Sequence, residues 1–346
     1  MARAIFWVAL ALTPATLVLH YVFDVSGTAG FVVSAAALAP LAFTIGEATE
    51  NVAEHTGPGI GGFLNASFGN APELIIALFA VGKGLPNVVR GSLVGSVVST
   101  ALLVLGGAMV AGGTGRLDRR SLMLQVAMVF AATALFLVPS IPGWHGDPER
   151  HELYVLTVPV AVVLVVAYLG LTFFNLRRHA TAERTQPDAD AWSLPRGIVA
   201  LAAATAATAF VSEILVKSLD AFGNAIGLSQ FFVAAVIVAI VGNAAEQGGA
   251  IVIARRGNPS LGAEIAISSS SQIAVFVTPA IALLSVLVGP ALPLAFAPVE
   301  IAALGGAAVV VAIAVADGRS RRWEGVVLLA LYAAVVVVFG VVGDRR

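Results

Sequence analysis

Eight polar side chains stand out in a chain that is 59% hydrophobic and only 11% charged. Asn70 and Glu73 lie three residues apart in "GNAPE" (69–73), and Asn243 and Glu246 repeat that spacing in "GNAAE" (242–246). A separation of three places each pair on one face of a helix. Ser96 with Ser99, and Ser269 with Gln272, share the spacing on the segments that follow. Together they offer two carboxylates, two asparagine carbonyls, three hydroxyls and a further amide. A set of oxygens is what a hard cation takes: calcium accepts 6–8 of them at about 2.3–2.6 Å, whereas magnesium gives up its waters reluctantly. Two carboxylates also balance a divalent charge. For the serines alone, ordinary helix packing is the stronger reading. The glutamates read as functional, because a carboxylate inside a membrane is costly.

Other acids form a second tier. Glu50 and Glu213 hold comparable places before the two pentapeptides and, with Glu300, read as stations of a proton route. Lys217 follows Glu213 by four residues, so a local ion pair remains open. Glu47 and Glu54 read as interfacial, and Glu264 as a solvated or paired end residue. The chain has no cysteine, which removes disulfides and thiolate chemistry. Its five histidines have no metal-ligand spacing, and no HExxH, GxSxG or P-loop occurs. The expectation is a non-enzyme without a resident cofactor. A net charge of −1 gives no support to a nucleic-acid partner.

These residues need helices to hold them. The composition is that of a polytopic membrane protein, and a span takes about 20 apolar residues. Eleven segments meet that length, near 4–23, 29–54, 60–82, 88–112, 121–140, 152–174, 195–219, 229–254, 260–288, 292–316 and 324–343. The first follows Arg3 and resembles a signal peptide, but no small-x-small cleavage site follows it, so a retained helix is expected. With eleven spans, 13 of the 19 Lys and Arg residues fall on the N-terminal side. The positive-inside rule then puts the N-terminus in the cytoplasm and the C-terminus outside.

The pentapeptides are 173 residues apart, and sliding the chain by that offset lays residues 66–105 on 239–278 without a gap. Gly84 then meets Gly257, Pro86 meets Pro259, and Ser96 meets Ser269. The fold class expected is an all-α membrane protein with one extra helix (1–28) and two five-helix repeats (29–174 and 195–346). A cytoplasmic linker (175–194) joins them within "NLRRHATAERTQPDADAWSLPR". An odd number of spans inverts the second repeat, the plan of many secondary transporters, whose sites lie at the midplane where the repeats meet. Pro72 removes a helix hydrogen bond and predicts a break there. The matching residue is Ala245, so the half-sites need not be identical.

"GEATE" before "GNAPELIIALFAVGKG", "GNAAE" before "SSSSQIAVFVTP", and "PLAFAPVE" together resemble the calcium/proton exchanger branch of the calcium/cation antiporter superfamily. The likeness covers spans two to eleven. It implies a central calcium site with Glu73 and Glu246 as main ligands, lined by Asn70, Asn243, Ser96, Ser99, Ser269 and Gln272. It also implies exchange of cytoplasmic Ca2+ for H+ by alternating access, both ions being transported substrates rather than cofactors. Three features depart from the pattern: Thr100 where asparagine is common, Ser268 where glycine is usual, and a joining segment without a long acidic helix. A desolvated carboxyl resists ionisation while a bound divalent cation favours it, so protons and the cation compete for one site. A sodium-driven calcium exchanger of the same architecture and a cation channel remain as alternatives. The expected location is a prokaryotic plasma membrane, the partners being Ca2+, H+ and the bilayer. A homo-oligomer is compatible with the sequence.

Overall fold

The computed structural model describes residues 10–179 and 192–342, which leaves residues 1–9 of the first expected segment and much of the joining segment outside the described residues. The described chain is helical except for short connectors and one ribbon. In order it forms α1 (Leu12–Tyr21), α2 (Gly27–Phe68), α3 (Ala71–Gly82), α4 (Pro86–Gly112), α5 (Arg119–Gly143) and α6 (His151–His179). There follow α7 (Leu194–Ile226), α8 (Gln230–Gly242), α9 (Ala244–Arg255), α10 (Pro259–Val288), α11 (Pro298–Val315) and α12 (Arg322–Val342). Among the described residues, eight helices are long and apolar enough to cross a membrane. Counting the pair α8–α9, bent by 58°, as one span makes nine.

Several expected boundaries differ; α7, for one, runs to Ile226 rather than 219, and α11 begins at Pro298 rather than near 292. The spans expected at 29–54 and 60–82 are divided elsewhere: α2 runs unbroken to Phe68, and the chain breaks at Gly69–Asn70. The gap left between those two segments, residues 55–59, is helical in its backbone. The break expected at Pro72 is present just before it, with α2 ending at Phe68, the residue whose carbonyl Pro72 cannot bond. Pro72 occupies the first turn of α3, where its missing N–H costs nothing. The second half breaks at the matching Asn243 with Ala245 in the proline's place. Finally, α6 continues to His179, past the linker start expected at 175.

Helix α4 is central: 83% of its most apolar window is inside the protein, against 28% for α6 and α12, whose outer faces carry exposed valines and leucines suited to lipid. Lipid tails are as apolar as leucine, so helices associate through close packing and small residues. Gly95 of α4 shows this, because a Cβ there would lie 1.9 Å from the Ala235 carbonyl oxygen of α8. The long helices α2 and α7 run antiparallel along each other. Gly30 meets Ser218, Phe31 stacks on Phe222 with centroids 4.2 Å apart, and Gly197 meets Val52. At the end where α4 leads to α5, a ribbon pairs β1 (Gly115–Arg116) with β2 (Arg319–Ser320), antiparallel.

The opposite end is closed by an extended, largely buried connector between α10 and α11. Its backbone groups have no helical partners and are satisfied by side chains, as burial requires. Ser140 Oγ donates to the Leu294 carbonyl (3.2 Å) and accepts from the Phe296 amide (2.9 Å). Thr157 Oγ1 accepts from the Leu294 amide (3.0 Å), and Trp144 Nε1 donates to the Phe296 carbonyl (2.9 Å). Arg90, fully buried, pairs with Glu149 and donates to the Pro293 carbonyl (3.3 Å). Ser140→Ala leaves two buried backbone groups without that partner. We expect a loss of about 1–3 kcal/mol, read as a lower thermal midpoint in detergent; an unchanged midpoint contradicts the role given to Ser140.

Candidate functional site

Both breaks put an asparagine at a helix N-cap. Asn70 has φ −101° and ψ 19°, Asn243 has φ −94° and ψ 7°, and neither side chain caps its own helix. Their carbonyls accept the first helical bonds, from Leu74 N (3.1 Å) and Gln247 N (2.9 Å). The side-chain amides turn across the molecule instead. Asn70 Nδ2 donates to Gln272 Oε1 (2.9 Å), and Asn243 Nδ2 donates to Ser96 Oγ (2.8 Å) and to the Ala239 carbonyl (2.9 Å). Each asparagine therefore joins the two halves of the chain, and Asn70 Oδ1 keeps no hydrogen-bond partner among the described residues.

Glu73 and Glu246 stand in the first turns of α3 and α9. The positive end of a helix dipole stabilises an anion there. The two carboxylates lie within electrostatic reach of each other, and Ser269 lies beside Glu246. Glu73 packs against Gly242, where a Cβ would come within 3.1 Å of its Oε1. Asn70 Oδ1, Glu73 Oε1 and Glu246 Oε2 are buried oxygens with no hydrogen-bond partner among the described residues. A buried, unpaired acceptor is unfavourable unless a ligand or water meets it. Three converging acceptors suit a cation.

The remaining expected residues fall on the same surfaces. Ser99 Oγ donates to the Ser96 carbonyl (3.2 Å) and receives Gln247 Nε2 at 3.4 Å. Ser99 opens a π-helical turn, Ser99–Val104, and a second one, Ile273–Val277, follows Gln272 in α10. Such turns are uncommon and frequent at functional sites.

The two half-sites are not equally open. A cavity of about 890 Å3 is lined by Glu246, Asn243, Ser268, Ser269 and Gln272, together with Glu47, Glu50, Gln125 and Glu264. Glu47 and Glu50 lie at the middle of α2, Gln125 near the start of α5, and Glu264 near the start of α10. The cavity therefore faces the end of the bundle that carries the α9–α10 turn. Glu73, 7% exposed, sits behind it. Against Glu73 is only a void of about 10 Å3, bounded by Ile76, Ser92, Leu93 and Ser96 among others, which holds about one water.

Of the three residues expected on a proton route, Glu50 lines the cavity. Glu213 makes the ion pair with Lys217 (2.6 Å) that its spacing allowed. Glu300 is buried in the first turn of α11, where it accepts from the Ala297 amide. Neither of these two lines the cavity. Sequence reasoning passed over Gln247 and Gln125, read Glu47 as interfacial and Glu264 as a solvated or paired end residue, and did not join these four to the site. A signal existed for two of them: Glu47 shares a helix face with Glu50, and Glu264 precedes Ser268 by four.

The family model for the sodium/calcium exchanger protein matches residues 26–177 and 196–341. The chain is 34% identical over 326 residues to the Ca2+/H+ antiporter ChaA of Bacillus subtilis (strain 168), covering 89% of this chain and 91% of that protein. It is 33% identical over 337 residues to the Ca2+/H+ antiporter of Aphanothece halophytica, covering 89% of each. Among solved structures, native YfkE superposes with a TM-score of 0.84 at 30% identity, covering 97% of this chain and all of that one. With these matches and its long apolar helices, the chain is a multi-pass integral membrane protein of the sodium/calcium exchanger family.

Proposed function

We propose that this protein is a secondary antiporter that exchanges cytoplasmic Ca2+, or a similar divalent cation, for H+ by alternating access at Glu73 and Glu246. The observation that carries this reading is the pairing of Glu246, on the wall of one open cavity, with Glu73 behind it and within its electrostatic reach, each following a helix break and each with a buried oxygen unpaired among the described residues. Two relatives at 33–34% identity are Ca2+/H+ antiporters, which supports the choice of ions. The family match falls on two stretches flanking the joining segment, as two repeats of 29–174 and 195–346 require. We take these as inverted five-helix repeats after an extra N-terminal helix, eleven spans in all. The excess of arginine at the α9–α10 end then makes the cavity cytoplasmic and the N-terminus cytoplasmic.

Coupling follows from charge. Two ionised glutamates close together, one of them buried, are costly when the site is empty, and either a divalent cation or protons relieve the cost. Because the carboxylates feel each other, their protonation steps belong to the pair. Loaded with either substrate the site is close to neutral and can change its access. Empty and ionised it cannot, which prevents leak. Asn70, Asn243, Ser96, Ser99, Ser269 and Gln272 add neutral oxygens or hold the ligands in place. Glu50 stands where protons and cations enter, and we keep Glu213 and Glu300 as candidates for the outer proton route.

Calcium uptake into inside-out vesicles under an imposed pH gradient tests the assignment. Glu73→Gln and Glu246→Gln each are expected to lower the apparent Ca2+ affinity by at least about 10–100-fold, the loss that even groups around a metal's ligands produce. Coupled uptake retained in either variant sinks the site. A sodium gradient that drives uptake without a pH gradient overturns the proton assignment, and single-channel conductance overturns alternating access.

The competition also sets the sign of the pH dependence. Lowering pH on the cavity side protonates the pair and opposes Ca2+, so the KM for Ca2+ should rise as pH falls while the maximal rate at saturating Ca2+ changes less. A KM independent of pH contradicts a shared site. Gly249 lines the cavity, and a Cβ there would meet nothing within 4 Å. Gly249→Leu should therefore fold normally and slow uptake by obstructing the access path; an unchanged rate would mean that ions do not use this cavity.

A further inference from the structure

A second cavity, of about 640 Å3, lies between α1, α2 and α7, apart from the glutamate site. Its volume is within the range of about 300–1,000 Å3 common for ligand sites. Leu41, Ala203 and Ala207 give it an apolar wall, and Arg196 and Trp192 stand at one end. The Arg196 guanidinium lies 5.2 Å from the centroid of the Trp192 ring and makes no ion pair among the described residues. It belongs to the first turn of α7, which has no side-chain cap. Arg196 and Ala207 are eleven residues apart, about 16 Å along a helix, or about one leaflet of hydrocarbon. Thr13, 6% exposed, adds a hydroxyl with no partner among the described residues to the same wall.

We propose that this groove binds one anionic phospholipid of the leaflet on the Arg196 side. A positive side chain beside a tryptophan at an interface, above one leaflet's depth of apolar wall, matches a phosphate joined to acyl chains. The free amides of the α7 N-terminus favour the same phosphate.

The location gives the lipid an effect on transport. Phe43 and Glu47 of α2 line both this groove and the glutamate cavity, so the bound lipid lies against the α2 turn that walls the ion path. That consequence rests on the exchange reading above, whereas lipid binding does not. The groove also gives α1 a role, as the wall that closes it from the side.

Native mass spectrometry of the full chain, purified from bilayers of mixed phosphatidylcholine and phosphatidylglycerol, tests the binding without reference to transport. Preferential retention of phosphatidylglycerol is expected. Arg196→Gln should lower it about fivefold, the weight of one basic residue at an anionic surface, and Ala207→Trp should abolish it by filling the groove. Arg196→Gln alters an exposed side chain and keeps the test decisive where the tryptophan variant does not fold. Equal retention of phosphatidylcholine, or retention unchanged in Arg196→Gln, overturns the proposal. So does the absence of retained lipid from the wild-type chain, the outcome expected if residues 1–9 or 180–191 fill the groove instead.

Discussion

Removing a carboxylate from water costs several kcal/mol, and this chain buries Glu73 and sets the half-buried Glu246 within its electrostatic reach. Much of the surrounding structure answers that cost. Each glutamate is placed in the first turn of a helix, where the dipole opposes the penalty. Each helix begins at a break inside the bundle, so α2 and α8 present their C-terminal carbonyl ends close by. Non-helical backbone at membrane depth persists only where protein or a water-filled cavity meets its polar groups. The asparagines complete the arrangement: their backbone carbonyls start α3 and α9, and their side-chain amides tie each half to the other.

The same constraint shapes the packing. Helix breaks weaken spans, so the spans beside them must approach closely. Gly95 lets α8 pass over α4 near the serines, and Gly242 lets Glu73 pack beside the second break. Polar residues that hold the outer connector, Ser140, Thr157 and Arg90, satisfy a backbone that has no water to turn to. The end they close is the one behind Glu73, whereas the end beside Glu246 is open. A pair of matched motifs thus occupies unequal surroundings, as an exchanger facing one side requires under the proposed mechanism.

Much of the site was legible in the residues. The offset of 173 aligned Asn70 with Asn243 and Glu73 with Glu246, because polar groups in hydrocarbon are too costly to recur without cause. The ion pair of Lys217 with Glu213 followed from a spacing of four. The helix breaks were harder to locate. Proline chemistry pointed to Pro72, yet the second half breaks at the same place without a proline, so the break belongs to the tertiary arrangement around Asn70 and Asn243.

The sequence by itself determined the apolar, helical character of the chain, the doubled motif and its oxygen chemistry, because these depend on residue type and on periodicity along one segment. Only the tertiary structure decided that Asn70 meets Gln272 while Asn243 meets Ser96, that Glu47 and Glu264 share the cavity with Glu246, and that Glu73 lies behind it. Those facts join residues as many as 217 positions apart, Glu47 and Glu264 being the farthest. They depend on how helices cross and tilt, which no local pattern encodes.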